Sequence, residues 1–165
     1  MIIDMSWIAE VLRQELSLGM NLPWPVLLVR LLGGLVLTGL IGLERETMDR
    51  PAGLRTHMLV GLAAVCYSVT TLEMLSWDVD DHVRMDPIRL VEAVTGGVAF
   101  LAAGLIVFTK GEVRGLTTGA SLWLAASIGV AIGLGLWLHG IVVTALALFI
   151  VRTLGRIEKS MISRQ

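Results

Sequence analysis

Charged residues are scarce in this sequence. Only 16% of the 165 residues are Asp, Glu, Lys or Arg, whereas 55% are hydrophobic and the mean hydropathy is +0.80. Soluble domains carry about a quarter charged residues, so the composition argues against a water-soluble globule. The net charge of −1 provides no cationic field that would attract nucleic acid, and we expect no nucleic-acid partner.

Cysteine is nearly absent as well. The single cysteine, Cys66, excludes an intramolecular disulfide and a multi-cysteine metal site. The sequence also lacks a zinc-protease motif, a phosphate-binding glycine loop and a dinucleotide-binding glycine pattern. We therefore predict no enzyme activity and no cofactor, and the sequence leaves the ligands of any metal ion unknown.

Five long apolar stretches make up most of the chain. Each has close to the roughly 20 residues that a helix needs to cross a bilayer, and backbone groups in lipid must be paired internally, which favours helices. The stretches are residues 24–43, 57–76, 88–108, 116–135 and 137–154. We therefore predict an all-α, polytopic membrane bundle of five transmembrane helices, forming a single membrane domain over residues 1–165.

The N-terminal segment has a different pattern. Within residues 4–19, apolar side chains recur at helical spacing on one face and polar side chains occupy the other. This pattern predicts an amphipathic helix lying at the membrane surface. A frayed terminus is the alternative.

The basic residues predict an orientation. Nine of the 13 lie between the first and second stretches, between the third and fourth, or near the C-terminus. Because basic residues accumulate on the cytoplasmic side, we predict that the tail, residues 155–165, is cytoplasmic and the N-terminus is outside. Trp24, Trp77 and Trp137 fall at the predicted outer ends, as an interfacial belt requires.

An internal repeat divides the first four helices. Residues 53–64 align with residues 115–126 at a Gly-Leu pair, at a threonine and at a final Leu-Ala-Ala. This alignment predicts two copies of one hairpin, followed by a closing helix. Chance recurrence of small apolar words is the alternative.

Small residues form the first set of candidate sites. At a spacing of four they share one helix face, where they let helix backbones approach each other closely. The rows are Gly34, Thr38 and Gly42 on the first helix, and Ala125, Gly129 and Gly133 on the fourth. We interpret both rows as packing surfaces rather than pore lining.

Ionised residues within the apolar stretches form the second set. Arg30 and Glu92 lie about 9 Å and 6 Å below the outer ends of their helices, at about 1.5 Å per residue. A lone charge at such a depth costs a few kcal/mol or more, so we predict an Arg30–Glu92 pair with Glu73, Arg89 and His139 nearby. The pair would either lock the hairpins together or line a cation path. Outward snorkelling of Arg30 is the alternative.

Two charged connections form the third set. They are suited to an ionic network, to helix capping or to binding a hard cation, with simple solvated turns as the alternative. The residues are Glu44, Arg45, Glu46, Arg55, Thr56 and His57 in the first connection, and Arg114, Thr117 and Thr118 in the second.

Several segments resemble the MgtC/SapB family of membrane proteins. They are Arg30-Leu-Leu-Gly-Gly34, Ile41-Gly-Leu-Glu-Arg45, Ala52-Gly-Leu-Arg-Thr-His57, and the segments 97–104 and 113–123. The resemblance implies a bacterial inner-membrane protein tied to adaptation to low Mg²⁺, in the short form without a C-terminal soluble domain. It supplies no catalytic residues. Ala99 and Ala102 stand where the family pattern has glycine, which weakens the case for a glycine-lined path.

Two functions are consistent with these features. The first is movement of a cation such as Mg²⁺ along Glu92, Glu44 and Arg30. The second is a non-transporting regulator that binds another membrane protein through its small-residue helix faces. Because 165 residues enclose little polar space, we expect a homo-oligomer in the bilayer.

Overall fold

The computed structural model describes residues 6, 8–11, 21–77, 86–109 and 112–162, and from residue 21 onward its described part contains five α-helices. They are α1 (Trp24–Thr47), α2 (Leu54–Leu75), α3 (Ile88–Leu105), α4 (Leu116–Gly133) and α5 (Trp137–Ile162). A short antiparallel hairpin of β1 (Val107–Thr109) and β2 (Glu112–Arg114) connects α3 to α4. The predicted all-α bundle is confirmed, with this hairpin as an addition.

Four of the helices, α1 to α4, are long and apolar enough to cross a membrane. They imply a lipid bilayer around a multi-pass protein. Within the described side chains, the apolar stretch of α5, Trp137–Thr153, is shorter than these four helices. The fifth predicted span is therefore the one that length and composition support least.

The first helix extends past its predicted end. α1 continues through Glu44 and Arg45 to Thr47 because both charged side chains are buried against neighbouring helices instead of facing water. It ends just before Asp49, whose φ of 52° turns the chain towards α2. Burial thus decides the helix end, and hydropathy along the sequence misses it.

The remaining helices also depart from their predicted limits. α3 ends at Leu105 because residues 107–109 pair with β2, and α4 ends before Gly135, whose φ of 82° makes the turn to α5. α5 continues into the predicted tail, 155–165, as far as Ile162. Most of the predicted surface helix, 4–19, lies outside the described residues, and its described part is helical.

The bundle has two chemically different ends. The end formed by the α1–α2 and α3–α4 connections is called the basic end, and it holds Arg45, Arg50, Arg55 and Arg114. The opposite end is called the tryptophan end, and it holds Trp24, Trp77 and Trp137. The predicted cytoplasmic location of the basic end stays a prediction, as does the internal repeat.

Helix α4 lies at the centre of the bundle, in contact with all four other helices. The space between α1, α2 and α4 is filled by Ile41, Val65, Ile128 and Ile132, each at most 1% exposed. Helix α3 is peripheral: it packs mainly on α4 and buries only Leu90 and Val94. The core is therefore closed and largely apolar, since the buried hydroxyls of Thr38 and Ser68 bond to the backbones of their own helices. Helix α3 leaves most of its surface uncovered.

Candidate functional site

A buried group of polar side chains lies at the basic end. We call it the basic-end cluster, and its members are Glu44, Arg45, His57, Thr118 and Ser121, all between 0 and 6% exposed. The cluster forms where α1 ends and α2 and α4 begin. Gly42 permits this close approach, because a Cβ there would lie 2.8 Å from the Leu54 Cα and 2.9 Å from the His57 Cβ.

The imidazole of His57 connects two parts of the cluster. Its Nδ1 lies 2.9 Å from the Gly53 carbonyl oxygen, and its Nε2 lies 3.1 Å from the Ser121 Oγ. Since a carbonyl oxygen only accepts, Nδ1 carries a proton and donates it. The single hydroxyl proton of Ser121 then has two competing acceptors, the ring Nε2 and the Thr118 carbonyl oxygen at 2.8 Å.

The two charged members of the cluster are incompletely paired. Nη2 of Arg45 donates to Oγ1 of Thr118 at 3.4 Å, while Nε of Arg45 is buried without a partner. Both carboxylate oxygens of Glu44 are buried without a hydrogen-bond partner. Such groups are costly unless water or a ligand satisfies them. In the described part of the chain, the Glu44 carboxylate is therefore the buried group with the most unsatisfied hydrogen-bonding atoms.

A dedicated metal cage is not formed by the residues that the structure describes, since they contain no group of three or more His, Cys, Asp or Glu placed to hold an ion. A cation at Glu44 would therefore have one carboxylate and would retain most of its water. Mg²⁺ commonly binds in this way, through one or two carboxylates and several waters.

The other residues of the two charged connections surround the cluster. Oε2 of Glu46 accepts the backbone N–H of Leu54 at 2.7 Å, which satisfies a free amide at the start of α2. Thr56 is half-buried, and the exposed members are Glu46, Arg55, Arg114 and Thr117. Sequence reasoning missed Ser121. The sequence feature that could have identified Ser121 is its position three residues after Thr118, on the same face of α4.

Arg30 binds a helix terminus at the tryptophan end. Its Nη1 donates to the Gly133 carbonyl oxygen at 2.7 Å, at the C-terminus of α4. A cation there satisfies one of the free terminal carbonyls and offsets the negative end of the helix dipole. Its Nη2 lies over Gly135, where a Cβ would approach it to 2.9 Å. Nε of Arg30 is buried and has no partner.

The predicted Arg30–Glu92 ion pair is not formed. Glu92 is exposed on α3, and its carboxylate has no hydrogen-bond or ion-pair partner among the described residues. The reason is the peripheral position of α3, which packs on α4 and α2. Residue counting gave the two a similar depth, but their helices are not neighbours, and Arg30 instead binds the Gly133 carbonyl oxygen of α4.

The other predicted path residues are dispersed. Both carboxylate oxygens of Glu73 accept backbone N–H groups, from Asn21 and Leu22 at 2.8 Å, and so anchor the segment before α1. Arg89 helps to line a cavity of about 490 Å³ between α2 and α3, and His139 is exposed on α5. The structure thus brings none of these side chains into a continuous polar path.

The predicted small-residue rows lie in contacts within the chain. Gly34 of α1 faces the Val65 side chain, and Gly129 of α4 faces the Gly61 backbone, whose oxygen would lie 2.5 Å from an added Cβ. The remaining members of the rows are buried as well: Thr38, Gly42, Ala125 and Gly133. These faces are occupied inside the bundle and are closed to an outside partner.

Arg30 and Glu92 should act independently of each other. In detergent-dispersed protein, Arg30→Gln should lower the free energy of unfolding by about 1–3 kcal/mol, because Gly133 loses a charged donor. In the monomeric protein, Glu92→Gln should change it by less than about 0.5 kcal/mol. A double-mutant cycle should be additive within about 0.5 kcal/mol. A coupling well above that value would restore the predicted pair.

Comparison with known proteins identifies relatives over most of the chain. The family model for the MgtC family matches residues 31–160. "Putative magnesium transporter YhiD" of Escherichia coli K12 is 37% identical over 128 residues, covering 73% of this chain and 58% of that protein. Protein MgtC of Brucella abortus is 40% identical over 114 residues, covering 69% of this chain and 45% of that protein. Protein SrpB of Synechococcus elongatus is 33% identical over 144 residues, covering 82% of this chain and 79% of that protein.

The chain spans little more than half the length of the first of these relatives. No solved structure matches it at a significant level.

Proposed function

Because this chain belongs to the MgtC family, we propose that it serves magnesium homeostasis as a non-transporting membrane regulator, which associates with other transmembrane helices and does not conduct the ion. The link to magnesium comes from the name of the Escherichia coli relative. The mechanism is argued from the geometry of the bundle.

The closed centre of the bundle is the observation that carries this proposal. Ile41, Val65, Ile128 and Ile132 fill the space between α1, α2 and α4. The α2 and α4 backbones meet at Gly61 and Gly129 without room for a methyl group. A hydrated cation could pass here only if the helices separated, because packed interiors resist such deformation.

The surface available for association is on α3. A Cβ added at Gly96, Gly97 or Gly104 would meet nothing within 4 Å, in contrast to the enclosed glycines of α1, α2 and α4. Exposed small residues on a transmembrane helix allow another helix to approach closely. A regulator that binds within the bilayer would use this open face.

A flux assay tests the proposal. The full chain is reconstituted into vesicles that contain a Mg²⁺-sensitive dye, and Mg²⁺ is added outside. We expect dye signals equal to those of protein-free vesicles, followed by a full response when a Mg²⁺ ionophore is added. A Mg²⁺ flux that increases with the amount of reconstituted protein would contradict the proposal.

Cation movement is the second candidate function, and one observation favours it. The Glu44 carboxylate is 5% exposed, and both of its oxygens lack partners. A buried carboxylate at the basic end is a suitable first binding point for a cation that leaves or enters the bundle. This candidate requires helix motion, since the apolar core lies between Glu44 and the tryptophan end.

The same vesicles distinguish the two candidates. If cation movement is correct, Glu44→Gln should abolish the Mg²⁺ flux, because the buried negative charge is lost. Glu46→Gln is the matched control: it is two residues away and exposed, and its amide oxygen can still accept from Leu54. Flux that is equally sensitive to both variants would contradict a specific role for Glu44.

A further inference from the structure

We propose that the open face of α3 binds α3 of a second copy of this chain, with Arg89 of each copy paired to Glu92 of the other. The inference rests on the proposed function, because it names the partner of the association surface described above. It makes a parallel dimer with a two-fold axis along the membrane normal.

The open face has the spacing of a helix–helix seam. Its residues recur at alternating intervals of three and four and are all exposed: Arg89, Glu92, Gly96, Ala99 and Ala103. We call this row the α3 seam. The centre of the seam, Glu92 and Gly96, lies opposite the stripe of Leu90 and Val94 that packs into the bundle. At its ends, Arg89 borders the groove against α2, and Ala99 and Ala103 border the groove against α4. Such spacing keeps one face of a helix against a parallel partner over several turns.

The part of the α3 seam nearer the basic end consists of small residues that permit close contact. An added Cβ at Gly96 would meet nothing within 4 Å, so this position is open inside the single chain. Ala99 and Ala103 continue the small row towards the basic end. Close backbone approach is a major source of helix association in lipid, where the hydrophobic effect between helices is absent.

The two charged residues of the seam have no side-chain partner in the part of the chain that the structure describes. Neither Arg89 nor Glu92 has a side-chain hydrogen bond or an ion pair with the residues that the structure describes. A charge that faces lipid near the end of a transmembrane helix is costly, and such residues usually pair. Among the described residues, the seam therefore carries one unpaired positive charge and one unpaired negative charge.

A second copy satisfies both charges at once. In a two-fold interface, if one residue contacts another, the reverse contact also forms. Arg89 and Glu92 are offset by about 4.5 Å along the helix axis, a distance that the long arginine side chain spans. The four side chains around the axis sum to zero charge. An anionic lipid, by comparison, would neutralise Arg89 and repel Glu92.

Disulfide cross-linking identifies the partner. In a Cys66→Ser background, Ala99→Cys should form a covalent homodimer when the full chain is oxidised in bilayers. Val36→Cys is the matched control, since Val36 is exposed on α1 at a similar distance from the tryptophan end. It should stay monomeric. The proposal is overturned if Ala99→Cys gives no more homodimer than Val36→Cys.

A charge exchange tests the Arg89–Glu92 pairing itself. Dimer dissociation is measured by energy transfer between labelled copies diluted in lipid. Arg89→Glu alone and Glu92→Arg alone should each raise the dissociation constant about three- to twentyfold, the range found for polar contacts between membrane helices. The double exchange should restore dimerisation. Failure of the double variant to recover would refute the reciprocal pair.

The outcomes separate this inference from the proposed function. If Ala99→Cys cross-links only to a different membrane protein in native membranes, the second copy is the wrong partner and association through α3 still holds. If it cross-links to neither, the homodimer fails, and the proposed function is judged by the flux assay. A Mg²⁺ flux in vesicles would contradict the non-transporting function and leave the homodimer to be judged by its own cross-link.

Discussion

Alanine at Gly129 should destabilise the protein by about 1–3 kcal/mol, the usual cost of forcing a methyl group into a packed core. The new Cβ would lie 2.5 Å from the Gly61 carbonyl oxygen and 2.7 Å from the Ala64 Cβ. The first of these atoms belongs to the backbone of α2, so no side-chain rotation can relieve the contact. The two helices must move apart along their closest line of packing.

Gly97 provides the matched control for this substitution. It is also a helical glycine in an apolar segment, but its added Cβ would meet nothing within 4 Å. Gly97→Ala should leave stability unchanged or raise it by up to about 1 kcal/mol, through better helix propensity. Both variants are compared by unfolding titration in the same detergent. Equal losses at the two positions would show that α2 and α4 are not packed as closely as described.

Helix positions were accessible from the sequence because lipid imposes a simple length rule on apolar segments. All five helices fall where apolar stretches were found. The β1–β2 hairpin was missed because Val107 and Phe108 extend the apolar run that precedes them. Hydropathy does not distinguish a helix end from a short apolar strand, whereas backbone pairing with β2 does.

The candidate site was predictable in part, for a geometric reason. Counting residues along a helix gives an expected depth in the membrane, and this count grouped Arg30 with Glu92. It does not tell which helices are adjacent around the bundle axis. The predicted pair is wrong because α1 and α3 are not adjacent. Within the basic-end cluster, the short α1–α2 connection makes Glu44, Arg45 and His57 close in space. Ser121 comes from a distant segment and required the fold.

Alanine at His57 should cost about 2–5 kcal/mol of the free energy of unfolding. His57 is 0% exposed, so its removal leaves a cavity of the kind that makes large-to-small core substitutions costly. It also removes the ring that bonds to the Gly53 carbonyl oxygen and to Ser121, and a buried polar group left without a partner adds a penalty of its own. Chemical unfolding in detergent measures the loss.

Two further variants separate the causes of that loss. His139→Ala removes an exposed histidine from α5 and should change stability by less than about 0.5 kcal/mol. His57→Phe refills most of the volume but cannot donate to Gly53, so it should recover only the cavity part of the loss. If His57→Phe were as stable as the original protein, hydrogen bonding would contribute nothing at the basic end. Because the same ring fixes the start of α2 against α4, the cluster around Glu44 would then have to be held by packing alone.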